Sequence, residues 1–184
     1  MPKLPIPLLL SFVSTMAFAD PSRCPELRSS EDERPQVLDA KAIASCNFRD
    51  SEPGLYTVTS GSICLYRGKS DGGADGFALQ GSLAYTFQDE QKLLNGVFAV
   101  GSTDGVRPGV EEYTRGVSAF FASQLGPMLT VIETNNSFGI PRTVTEARYN
   151  FWTNTLKLEK YYQGFLDFNK DSIYSVEFSC NDID

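Results

Sequence analysis

The chain has 184 residues, with 16 Lys and Arg against 23 Asp and Glu, and no histidine. That acidic balance repels phosphate backbones and anionic lipid surfaces, which makes nucleic-acid binding a poor expectation. The lack of histidine removes Ser-His and Cys-His nucleophiles and the HExxH zinc site.

Residues 1–19 read as a secretory signal. Lys3 gives a positive start, "LPIPLLLSFVSTM" an apolar middle, and "AFA" before Asp20 a small-x-small cleavage site. A membrane anchor would need about 20 unbroken apolar residues, and Pro5 and Pro7 interrupt this shorter run. Cleavage there leaves about 165 residues, enough for one domain with a genuine core. The expected location is secreted or periplasmic, with no membrane span in the mature chain.

Residues 20–53 are polar and rich in proline, and read as an irregular N-terminal arm. Within it "VLDAKAIAS" (37–45) places Val37, Leu38, Ala42 and Ile43 on one helical face, which predicts one short helix docked on the domain. All four cysteines, Cys24, Cys46, Cys64 and Cys180, fall in the exported part, and an even count in an oxidising compartment predicts two disulfides.

From residue 54 to 184 the pattern changes to short runs rich in Val, Ile, Thr, Tyr and Phe between Gly, Asn, Asp and Pro. This is the signature of antiparallel β-structure. Eight strands are expected, over 55–66, 77–88, 94–101, 113–124, 127–134, 143–152, 155–168 and 172–180. The fold class is therefore all-β, an antiparallel up-and-down barrel or a sandwich of about eight strands. In "FALQGSLAYTF", Phe77, Leu79, Leu83, Tyr85 and Phe87 share one face, as in a sheet buried on one side.

Two hairpins can be placed from residue pairing. A turn centred on Thr153 and Asn154 sets Phe151 opposite Leu156, Tyr149 opposite Leu158 and Arg148 opposite Glu159. Keeping Leu166 and Phe168 on one face with Tyr174, Val176 and Phe178 needs an odd loop, such as Asn169-Lys170-Asp171. In a consecutive closed barrel the first and last strands lie side by side. This predicts a Cys64–Cys180 bond with Cys24–Cys46 as the second, whereas an open sandwich would leave Cys46–Cys64 as a competitor.

Several motifs fail on mechanism. Asp167, Asn169 and Asp171 have the spacing of a calcium loop, but the sixth and twelfth positions hold Ser172 and Phe178 where Gly and Glu are required. "DGGADG" (71–76) reads as a Gly-rich hairpin loop. "GKSDG" (68–72) matches a hydrolase nucleophile elbow, yet Ser70 has no histidine base. The adjacent Glu111 and Glu112 are the carboxylates to examine for glycoside hydrolysis, which needs only two acids. No metal or cofactor is expected.

The functional expectation is a non-catalytic exported β-domain that binds a small apolar ligand or a protein partner. A barrel can enclose one small apolar molecule, as lipocalins do, with Phe77, Leu83 and Tyr85 lining the cavity. The G-x-W of lipocalins is replaced by "GLY" at Gly54 to Tyr56, so the likeness is one of architecture. The alternatives are an eight-stranded outer-membrane barrel, disfavoured by Lys157, Glu159 and Lys160 on one strand, and a carboxylate-dependent hydrolase.

Overall fold

The computed structural model describes residues 24–28, 35–105, 119–135, 142–163 and 170–183. The expected signal, residues 1–19, lies outside the described residues, as do Glu111, Glu112, Asp167 and Asn169. Among the described residues nine strands follow in chain order: β1 (Leu38–Glu52), β2 (Thr57–Lys69), β3 (Asp75–Phe87), β4 (Glu90–Ser102), β5 (Ala119–Leu125), β6 (Met128–Asn135), β7 (Arg142–Asn150), β8 (Thr155–Gln163) and β9 (Lys170–Asp182). They form one closed barrel in sequence order, with β9 returning to pair antiparallel with β1.

All but one of the neighbouring pairs are antiparallel. The exception is β4 with β5, which run parallel and meet at Ser102 and Phe121. Paired residues can be followed from Lys41 through Arg67 and Phe77 to Gly101 and its neighbour Ser102. The path continues through Phe121, Ile132, Glu146, Glu159 and Ser175 and returns to β1 at Glu52, far along the strand from Lys41. That stagger tilts the strands steeply and lets the sheet close.

The expected helix at 37–45 is instead the first part of β1, so the barrel begins at Leu38, inside the segment read as an arm. The cause is local. Register shifts interrupt β1 between Leu38 and Lys41, Ala42 and Ala44, and Phe48 and Asp50, and Asp39 has φ of 50°. The first two bulges displace the period-two alternation within 37–45, leaving apolar spacings that imitate a helix.

Every strand except β1 corresponds to one of the eight expected runs. The β7–β8 hairpin keeps the expected faces but has a longer turn. Tyr149 stands opposite Leu156, Arg148 opposite Lys157 and Ala147 opposite Leu158, around a turn of residues 151–154. Phe151 packs edge-on against the Tyr149 ring, centroids 4.8 Å apart, rather than pairing with Leu156. Asn169-Lys170-Asp171 is not the next turn either, because Lys170 and Asp171 are already in β9 opposite Gln163 and Tyr162.

The main apolar core lies inside the barrel. Ile63 and Leu65 on β2, Phe77, Leu79 and Leu83 on β3, Leu129 and Val131 on β6, Leu156 and Leu158 on β8, and Val176 and Phe178 on β9 are all buried in one cluster. Interior positions of β6 to β9 also carry a polar row, Glu133, Thr145, Lys160 and Tyr174, each opposite the next. Glu133 is buried, and its Oε2 accepts the Val100 N–H at 3.1 Å, giving that backbone donor of β4 an acceptor beside the short parallel contact.

The outer face of β7, β8, β9 and β1 is charged. Arg148 pairs with Glu146 (2.7 Å) and Glu159 (3.9 Å), Lys157 with Glu159 (3.2 Å) and Glu52 (3.4 Å), and Lys170 with Glu146 (3.9 Å). Arg49 pairs with Glu177 at 2.9 Å across the seam.

The disulfides are Cys24–Cys64 and Cys46–Cys180, which replaces both expected pairs. The closure argument itself holds: a bond does join the first strand to the last. Because β1 is that first strand, however, the cysteine facing Cys180 is Cys46.

Candidate functional site

On β2, β3 and β4 the residues between the interior ones point outward: Cys64 and Tyr66, Ala78 and Gln80, and Val100. This outward face is buried all the same. Cys64, Tyr66, Ala78 and Val100 form a second apolar cluster, against which Cys24, Leu27, Val37, Ala40, Ala42, Val97 and Phe120 pack. Residues 24–28 and the approach to β1 cover it.

Three barrel residues, Cys64, Tyr66 and Gln80, hold the described part of the arm. The Cys24–Cys64 bond ties its start to β2. The Tyr66 hydroxyl donates to the carbonyl oxygen of Pro25. The Gln80 amide binds the arm backbone on both sides, Nε2 donating to the Glu26 carbonyl oxygen at 3.1 Å and Oε1 accepting the Arg28 N–H at 2.7 Å. Gln80 is only 4% exposed, so both halves of a buried amide are satisfied by an extended segment. Burial pushes the Tyr66 phenol above its usual pKa, keeping it a neutral donor.

Between arm and barrel lies a cleft of about 530 Å³. Its floor is Ala42, Tyr66, Ala78, Val97 and Val100, and its walls are Leu27, Pro35, Val37 and Leu38. Ala42, only partly buried, leaves room that a longer side chain would fill. Glu26, Arg28 and Asp39 stand at its edge. The lining is mixed, apolar surface only modestly exceeding polar, and the cleft is partly open to solvent, which suits non-covalent binding. Among the described residues no group of His, Cys, Asp and Glu could hold a metal ion.

The residues expected to line a ligand cavity, Phe77, Leu83 and Tyr85, do not line this cleft. Phe77 and Leu83, 1% and 0% exposed, are packed in the interior core, and Tyr85 lies partly buried against it, its ring 4.7 Å from that of Tyr56.

Ser70 is buried, and its Oγ donates to Asp104 Oδ2 at 3.1 Å. The Ser102 hydroxyl donates to the other carboxylate oxygen. These bonds, led by that from Ser102, hold Asp104 below the usual carboxylate range. Their effect is to latch the loop of residues 70–74 to the chain leaving β4. Asp171, the described member of the calcium-like triplet, is strand, opposite Tyr162.

Sequence reasoning missed Tyr66, Gln80 and Val37. One signal was available: "ICLY" (63–66) is apolar without alternation, the mark of a strand covered on both faces. Compared with protein-family models, curated proteins and solved structures, the chain matches none.

Proposed function

We propose that this chain is an exported, non-catalytic binding domain that holds a small apolar ligand in the cleft beneath its N-terminal arm. The observation carrying the reading is the cleft itself, about 530 Å³ with an apolar floor on the outer face of β2–β4. Ligand sites commonly run to about 300–1,000 Å³ with a few placed polar groups. Export is supported by the signal-like residues 1–19 and by two disulfides, which persist in oxidising compartments. The charged outer face of β7–β9 supports a barrel standing in water, since Arg or Lys facing lipid at mid-bilayer costs about 2–4 kcal/mol.

The test is binding of a fluorescent apolar probe, with mass spectrometry of small molecules carried through native purification. Ala42→Phe, at a cleft position that is only partly buried, should fill the floor and abolish probe binding in a protein that still folds. Undiminished binding by a folded Ala42→Phe protein would overturn the assignment.

A further inference from the structure

Leu125 and Trp152 are the most exposed large apolar side chains among the described residues, 84% and 83% accessible. They stand on two turns held against each other. The β5–β6 turn runs through Leu125, Gly126, Pro127 and Met128, and the β7–β8 turn through Phe151, Trp152, Thr153 and Asn154. The Phe151 N–H donates to the Pro127 carbonyl oxygen at 2.9 Å, and Met128 lies opposite Asn150.

Neither turn is loosely built. Asn150 Oδ1 accepts the N–H groups of Trp152 (2.9 Å) and Thr153 (3.3 Å), and the Cys180 N–H donates to the Asn154 carbonyl oxygen at 2.8 Å. The indole is thus displayed to solvent by an ordered turn. Nothing in that turn's own hydrogen bonding calls for a tryptophan.

We propose that this double tip enters the interfacial zone of an uncharged lipid bilayer, seating the barrel on that end. Tryptophan favours this zone because its ring is apolar and its N–H can bond to headgroups. Neither turn contains a charged residue. Asp182 touches the second turn, its carboxylate engaged by the Tyr149 hydroxyl at 2.9 Å and the Asn154 amide at 3.4 Å. With no Lys or Arg in the turns and a surplus of acid in the chain, anionic headgroups are disfavoured and zwitterionic ones fit. Two neighbouring protrusions suit a medium that deforms around each, whereas a protein partner would need two matched pockets. A single acyl chain gives only marginal binding, so contact through two side chains is weak and reversible.

Trp152 is the sole tryptophan, so its emission reports its own surroundings. Adding phosphatidylcholine vesicles should shift that emission to shorter wavelength, and brominated lipid should quench it. Trp152→Ser should reduce vesicle co-sedimentation about tenfold or more, Leu125→Ser should reduce it less, and both variants should keep the parent melting temperature. Partial replacement by phosphatidylserine should weaken the contact. Absence of shift and co-sedimentation with phosphatidylcholine, or binding that requires phosphatidylserine, would overturn the proposal. A shift that grows with protein concentration without lipid would assign the tip to a second copy instead and equally overturn it. The probe-binding test of the arm cleft is separate, because that site lies on β1–β4.

Discussion

Cys46 and Cys180 stand opposite each other across the β1–β9 seam, Cα atoms 3.9 Å apart, and are bonded. The bond lies where the sheet closes on itself, so it joins the two ends of the barrel's strand order. It spans 134 residues of sequence, against 40 for Cys24–Cys64.

The chain-entropy account assigns about 5 kcal/mol to the longer bridge and about 4 kcal/mol to the shorter. Paired Cys→Ala replacement at 46 and 180 should therefore lower the denaturant midpoint more than replacement at 24 and 64. Non-reducing peptide maps should show fragments joined 46 to 180. A fragment joined 64 to 180 would contradict the seam.

Glu133 is predicted to matter as an acceptor more than as a charge. Glu133→Gln keeps an oxygen for the Val100 N–H and should cost little. Glu133→Ala leaves that donor unpaired and should cost about 1–3 kcal/mol in urea unfolding. Equal losses from both substitutions would argue against the acceptor role.

Two glycines separate close approach from backbone conformation. A Cβ on Gly81 would lie 2.0 Å from the Ser62 carbonyl oxygen, so Gly81→Ala must push β2 and β3 apart and should cost about 3 kcal/mol or more. Gly73 has φ of 82° and open space around it, so Gly73→Ala meets only backbone strain, about 1–2 kcal/mol. Thermal melts should rank them in that order.

Stability should fall at both extremes of pH. On the acid side, Asp104, Asp75 and Glu52 all titrate below their ordinary values. Asp104 is held chiefly by the Ser102 hydrogen bond, Asp75 by that from Lys69 and then Arg67, and Glu52 by that from Ser175 and then Lys157. The unfolded chain binds protons first, so their stabilisation is complete above about pH 5 and is lost below about pH 4, as pH falls through their lowered native values. On the alkaline side, burial raises Tyr149 and Tyr174, helped by the charges of Asp182 and Glu133 respectively. The native state then holds protons that the unfolded chain releases, and stability declines above about pH 10. Urea titrations across pH should show both limbs. The acid limb should be shallower in Asp104→Asn, and an unchanged limb would remove Asp104 from the account.

Much of the barrel is legible in the sequence because side-chain alternation is a local property. Phe77, Leu79 and Leu83 had to share a face wherever β3 was placed, and so did Tyr174, Val176 and Phe178 on β9. The even cysteine count likewise pointed to two bonds. Pairing across strands was decided by tertiary structure, because a bulge or an extra turn residue changes which residues meet without altering the composition of either strand. The bulges in β1 hid the first strand and so misdirected the partner of Cys180. The four-residue turn after Asn150 shifted the β7–β8 pairs while keeping their faces. The arm cleft was least legible of all. Its floor comes from outward residues of β2, β3 and β4, and it becomes a site only when Gln80, Tyr66 and Cys64 capture a segment about 40 to 54 residues earlier in the chain. Contacts at such separations follow from closure of the whole barrel, and no local pattern encodes them.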